Sequence, residues 1–372
     1  MLSSQARSCP ALLIVHRQGV LIALLAALAL AQVIAACEQE SSAVEPWVPT
    51  NDVPAATDSG DALDNEETAL PPGAWQEIPL GIEFGEKIED IWGYQRDGAN
   101  LLTYVTNAGR FGRLKDGEMQ GANLDDLDIA PPSPDVQLPF RGVFTTDGSI
   151  FWLVGHGGTV RSKSGLWSTV KQADEITGDW NDVWSDGSQA MWFVGDKGAV
   201  LRSGYDGKDP LRTTIGTGNW LAVTGSATEV YLVSRKEIVR LAVAVDFPAD
   251  GLTEPASERF NASEIDDTQV FKRIWRLDPT RIFVVGSPAS LLMSDGAAPL
   301  ALAALATQPT GLNDVHGSPS GDLLTAGVGG FLGRYDGLDL QPEGTENLPE
   351  GFDLERVWSF ADGSAYVVTT FD

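Results

Sequence analysis

Few side chains in this sequence are arranged to do chemistry. There are two cysteines, Cys9 and Cys37, and three histidines, His16, His156 and His316, too scattered to gather the several ligands that a metal centre needs. No serine-hydrolase motif occurs. Two acidic runs could offer carboxylate oxygens to a hard cation or to a basic surface: Asp125, Asp126 and Asp128 in one, Asp266 and Asp267 in the other. Their spacing matches no calcium loop. A glycosidase would need two carboxylates at a fixed separation, which linear order cannot locate among 52 acids. His156 stands in the turn Gly155–Gly158, which, like Gly327–Gly330, opens no helix whose free amides could hold a phosphate. The sequence thus assigns no catalytic residue, metal or cofactor, and leaves Asp125, Asp126, Asp128, His156, Asp266 and Asp267 as candidate binding contacts.

Cys37 is the residue with the most definite chemistry. Ahead of it lie a basic stretch with Arg7 and Arg17, an apolar run from Val20 to Ala36, and small residues at its end, the order of a secretory leader. The end of that run, Ile34-Ala35-Ala36-Cys37, resembles the lipobox of bacterial lipoproteins, and the resemblance implies that the Cys37 thiol carries lipid and becomes the first residue after residues 1–36 are removed. No second cysteine follows, so a disulfide does not compete for the thiol. Glu38 rather than Asp comes next, which favours the outer over the inner membrane of the cell envelope. Residues 37–72 are acidic, rich in Ser, Thr and Pro, and without periodicity; they read as a disordered, lipid-anchored tether.

The elements that position everything else repeat along residues 73–372. A β-branched anchor recurs at Ile91, Val143, Val183, Val223, Ile274, Val315 and Val357, at intervals of 52, 40, 40, 51, 41 and 42 residues. Three residues before each stands a large apolar side chain: Ile88, Phe140, Trp180, Trp220, Phe271, Leu312 and Leu354. Directly after the anchor an aromatic is usual, as at Trp92, Trp184, Trp275 and Trp358. Twelve residues after it, five copies have a small residue: Gly155, Gly195, Gly286, Gly327 and Thr369. Asp-Gly pairs such as Asp147-Gly148 and Asp186-Gly187 supply hairpin turns, and apolar runs such as Phe151–Val154 predict second strands covered on both faces. A period near 40 residues with four strands per copy predicts an all-β propeller, in which blades bury their faces on one another.

These copies resemble the VWG…VGxxG blades of bacterial propeller lipoproteins and, more distantly, Asp-box and WD-type propellers. They lack the full Asp-box run and the paired Gly-His and Trp-Asp of WD blades, so the resemblance implies fold and not partner. Seven blades of four antiparallel strands are expected. Since the last copy supplies two strands, residues 73–82 are expected to pair beside it and close a shorter, three-stranded blade. The in-phase tryptophans are assigned to packing between blades, and the insertions near 117–139 and 244–270 to one loop-rich end, where recognition would occur.

Charge narrows the partners. The formal charge is −27, and −29 once Arg7 and Arg17 leave, which is unfit for binding nucleic acid. The leading expectation is a monomeric, non-catalytic binding or scaffolding module for a protein or glycan, held to the membrane through lipid at Cys37. The alternatives are a carbohydrate-active hydrolase or lyase using carboxylates at the propeller channel, and an assembly factor for an envelope complex.

Overall fold

The computed structural model describes residues 12–16 and 75–371, apart from 84, 121–138, 157–159, 165, 170–178, 188–189, 206–209, 244–254, 279, 289–290, 296–299, 307–310, 319–320, 322 and 345–350. Strands and short 3-10 turns make up the described elements. The strands form seven four-stranded antiparallel sheets. Five are meanders in simple chain order, with inner strands Ile88–Arg96, Trp180–Ser185, Trp220–Gly225, Val270–Asp278 and Leu312–Gly317. A further meander starts at Phe140–Phe144, and the remaining sheet, built from both ends of the chain, starts at Phe352–Ser359. Each inner strand packs on the next, and Phe352–Ser359 packs on Ile88–Arg96, so the inner strands encircle a central channel. The all-β propeller expected from the repeat is therefore the architecture observed.

The odd spacing of three between the large apolar residue and the anchor has a structural cause. In all seven inner strands the pairing register slips by one residue at this point, as between Ile88 and Asp90 or between Leu354 and Arg356. A β-bulge inserts one unpaired residue, and the extra residue turns the large side chain and the anchor onto the same face. The residue opposite the large side chain is Thr106, Gly155, Gly195, Ser234, Gly286, Gly327 or Thr369. A Cβ on Gly155 or Gly286 would lie 2.0 Å from the carbonyl oxygen of Pro139 or Val270, which holds these copies to glycine. The copies that escape the twelve-residue rule differ in hairpin length, not in this pairing.

The second strand Phe151–Gly155 is buried along its whole length, and Ala190–Gly195 and Glu229–Ser234 are buried except at their first residues. Each fully buried Val, Leu or Phe there contributes about 1.5–3 kcal/mol of apolar transfer. The hairpins that follow the inner strands turn on glycines with positive φ, +75° at Gly148 and +80° at Gly187, which a side chain rarely adopts.

Two expectations need correction. The closing blade is four-stranded: Leu12–His16 pairs with Ala365–Phe371 on one side and with Trp75–Ile78 on the other, so residues 73–82 do contribute a strand to the last sheet, but as its fourth and not its third. The second insertion is only in part a connection between blades: residues 262–269 link Glu258–Asn261 to the next sheet at Val270–Asp278, and the rest belongs to one sheet. Glu258–Asn261 pairs with Glu237–Ala242 as the fourth strand of its own sheet, so the chain between Ala242 and Glu258 is a third-to-fourth connection. In a meander that connection lies at the opposite end from the link between Met119 and Phe140. The second insertion is thus divided between the two ends: residues 243–257 lie opposite the Met119–Phe140 link, whereas Asp266 and Asp267 lie at the same end as that link.

Candidate functional site

The central channel is where charged groups converge. The residue just before each anchor points into it, on the same face as the residue just after. The preceding residues are Asp90, Gly142, Asp182, Ala222, Arg273, Asp314 and Arg356; the following ones are Trp92, Phe144, Trp184, Thr224, Trp275, His316 and Trp358. A cavity lined by Asp90, Asp182, Arg273, Asp314 and the aromatics below them holds about 50 Å³ of space for water-sized molecules. That is room for a few waters, whereas small-molecule sites span several hundred Å³.

The carboxylates in this cavity clasp neighbouring sheets. Asp90 accepts the Val143 amide at 3.1 Å, Asp182 that of Val223 at 2.9 Å, and Asp314 that of Val357 at 3.0 Å, in each case the anchor of the next sheet. The other oxygen of Asp182 and of Asp314 accepts the amide of its own anchor, Val183 at 2.8 Å and Val315 at 2.9 Å. Arg273 crosses the channel to lie 3.7 Å from both Asp90 and Asp182, and Arg356 lies 3.6 Å from Asp90. One residue earlier, Asn181 donates to the Trp220 carbonyl at 2.8 Å, and Asn313 to that of Leu354 at 3.0 Å. Three Asp against two Arg leave one formal negative charge in a small, largely buried cavity, a costly arrangement unless every oxygen is held.

Below the charged layer the aromatics fill the channel. Trp358 stacks on His316 at 3.7 Å, and ring centroids of Trp92 and Trp358 are 4.7 Å apart, those of Trp275 and Trp358 5.8 Å. Trp92, Trp275 and Trp358 thus pack on one another around the channel axis, contacts between blades as the sequence assigned them.

Burial pushes the Asp182 carboxyl up to about 7, with Arg273 opposing and Asp90 adding to the rise. Asp90 and Asp314 are raised as well, burial again outweighing the arginines. Burial holds His316 well below its ordinary 6.5; its Nδ1 accepts the Ser359 amide at 3.1 Å, so the neutral ring carries its proton on Nε2. The two groups oppose each other in acid. A carboxyl whose folded pKa exceeds its unfolded 3.8 adds stability as pH falls from about 7, whereas a depressed imidazole removes stability as pH falls below 6.5. Asp182→Asn should therefore lose more thermal stability than the parent between pH 7 and 5, and His316→Phe less. Scanning calorimetry over that range checks both; parallel curves for all three proteins would contradict this assignment.

The candidates read from the sequence lie elsewhere. His156 is exposed at the end where inner strands begin, its Nδ1 2.9 Å from Asp179, which also pairs with Arg141 at 2.8 Å. Asp266 is exposed and accepts the Thr268 amide at 2.7 Å, closing a turn, and Asp267 is exposed beside it. Asp125, Asp126, Asp128 and Cys37 fall outside the described residues. Among the described candidates, His156 and the pair Asp266 and Asp267 stand on separate loops of different sheets. What sequence reasoning missed is the position before the anchor, whose Asp and Arg recur in phase at Asp90, Asp182, Arg273, Asp314 and Arg356; its signal was the phase itself.

No family model and no curated protein matches the chain. Solved structures do. YCF48 from Cyanidioschyzon merolae superposes with a TM-score of 0.55 at 14% identity, over 79% of this chain and 97% of that one. What the two share is the fold. A second match, YCF48 bound to D1 peptide, has a TM-score of 0.54 at 15% identity, covering 77% and 92% of the respective chains. The computationally designed Ika8 protein aligns at 0.50 and 9% identity over 76% and 83%.

Proposed function

We propose that this protein is an exported, lipid-anchored propeller of seven blades that binds a segment of a protein partner and catalyses nothing in its channel. The observation that carries the reading is the state of the channel carboxylates. Their oxygens hold backbone amides of adjacent sheets, and the aromatic layer leaves no room for a sugar ring. A general acid or nucleophile needs a free oxygen beside a substrate-sized space.

Recognition then falls to a surface. The end at which inner strands begin exposes Lys87, Lys197, Arg235 and Lys236, with Arg141 and Lys272 half-buried between them. The opposite end carries the Asp-Gly turns. Acids share this end, Asp179, Asp196, Asp266 and Asp267 among them, so on a chain of net charge −27 the six cations would engage an acidic segment of a partner as separate points of contact. A propeller of similar fold bound to a peptide supports a protein over a glycan, and a role in assembling an envelope complex is the form of this reading that fits an anchored binder. Lipid at Cys37 would place the domain at the envelope, with the outer membrane favoured by Glu38.

Charge reversal tests the surface. The triple variant Lys197→Glu, Arg235→Glu, Lys236→Glu should lose a partner that the parent retains on affinity capture from solubilised membranes. Asp97→Lys at the opposite end should keep it. Equal capture by both variants would count against the basic end as the binding surface.

A further inference from the structure

The sheet that closes the ring contains a strand that an exported protein could not keep. Leu12–His16 occupies its third position, paired from Leu12–Thr369 to His16–Ala365 on one side and from Leu13–Ile78 to His16–Trp75 on the other, antiparallel to both neighbours. These residues precede the apolar run Val20–Ala36. A chain cut before Cys37 loses them, and a chain that threaded the run through a bilayer would hold them on the wrong side.

We infer that export empties this third-strand position and that the vacated slot takes an extended apolar segment of a partner protein, added as one strand between Ala365–Phe371 and Trp75–Ile78. The inference rests on the leader reading and is separate from the basic surface proposed above. An empty slot leaves a row of unpaired amides and carbonyls on each of two facing strand edges, the situation that strand addition relieves.

The neighbours cannot close the slot by themselves. Leu12–His16 is antiparallel to both, so Trp75–Ile78 runs parallel to Ala365–Phe371, and it would have to reverse direction to rebuild the antiparallel ladder. It is also fixed in place: the Trp75 indole donates to the Gly344 carbonyl at 3.0 Å, and Ile78 packs with Ile88 and Leu102 of the adjacent sheet. The tether is a poor substitute. Third strands elsewhere bury two or three residues in succession, Ala199–Leu201 and Ile238–Val239 among them, and Leu12–Val15 offers four aliphatic residues in succession. Between Glu38 and Ala74 no three aliphatic or aromatic residues are consecutive, and a hairpin into Trp75 would have to pass through Pro71 and Pro72, which lack amide hydrogens. Val367 and Val368, which face the slot's two sides, are fully buried, so the incoming segment must be apolar on both faces.

The leader strand is itself the probe. Full-length protein is expressed, recovered from membranes, and its intact mass measured; a synthetic peptide of residues 10–18 is then added. A mass lacking residues 1–36, with saturable one-to-one peptide binding and new hydrogen-exchange protection of residues 75–78 and 365–371, is the expected result. Replacing Ile14 of the peptide by Pro should weaken binding at least tenfold. In the cell, a photo-crosslinking residue at Gln76 should join the chain to an apolar segment of a second protein. The proposal is overturned if the processed protein ignores the peptide, if the two strands are already protected without it, or if Gln76 crosslinks only within the chain. A mass that retains Met1 overturns the leader reading and this inference with it, and leaves the basic surface to its own test.

Discussion

Arg273→Met should lower the free energy of unfolding by about 3–5 kcal/mol, the range seen when one member of a buried ion pair is removed and its partners remain. Arg273 reaches Asp90 and Asp182, side chains from two different sheets, across the channel, and its own side chain is only 13% exposed. Methionine fills much of the same space, so the loss is one of charge and hydrogen bonding more than of volume. Both carboxylates would then stand buried with Arg356 alone nearby, and each still has to accept the amide of the next sheet's anchor. Chemical denaturation of the parent and the variant measures the difference. A loss under about 1 kcal/mol, the range of an exposed pair, would mean that water reaches this layer and that the clasp is not what holds the sheets in register.

The second large effect is expected at Trp358. Trp358→Ala should cost about 3–5 kcal/mol, as for other large aromatics cut from a packed core. Its ring stacks on His316 at 3.7 Å and meets Trp92 at 4.7 Å, so one truncation removes contacts with inner strands of two other sheets. A tryptophan kept as a platform for a sugar would behave otherwise: its removal would abolish ligand binding and leave stability nearly unchanged. Thermal unfolding distinguishes the two, since Trp358 is 8% exposed and has little surface to offer a ligand.

Much of this architecture was legible in the sequence, and the parts that were not have physical reasons. The anchors and the large residues three positions earlier were readable because the channel and the blade faces impose them on every copy. Their spacing looked irregular for a strand, which alternates with period two, until the bulge explained it. The small residue at Gly155, Gly195, Gly286 and Gly327 was visible as a pattern, but the reason, a carbonyl directly above the Cα, is a contact between strands. The clasp was overlooked because Asp90, Asp182 and Asp314 alternate with Gly142, Ala222, Arg273 and Arg356: a position that varies in charge looks unconstrained until the side chains are seen to neutralise one another across a channel. The fourth strand Glu258–Asn261 hid inside an acidic stretch because it is short and follows a long connection, and Leu12–His16 because it is short and its pairing partners are remote in the chain.

The composition also misdirected attention. Acidic runs were the conspicuous feature of a chain with 52 acids and 25 bases, and the binding candidates were drawn from them. On a surface already acidic throughout, the minority charge carries more information. Lys87, Lys197, Arg235 and Lys236 are scattered in linear order and share one end only because turns and strand starts from several blades do.

The most direct test of the account is site-specific photo-crosslinking in the producing cell, with the reactive residue placed at Lys236 on the basic end or at Asp97 on the opposite end. Lys236 should yield a discrete adduct with a protein, and Asp97 none. Adducts from Asp97 alone, or a purified propeller that hydrolyses a glycan while Lys236 crosslinks to nothing, would contradict it.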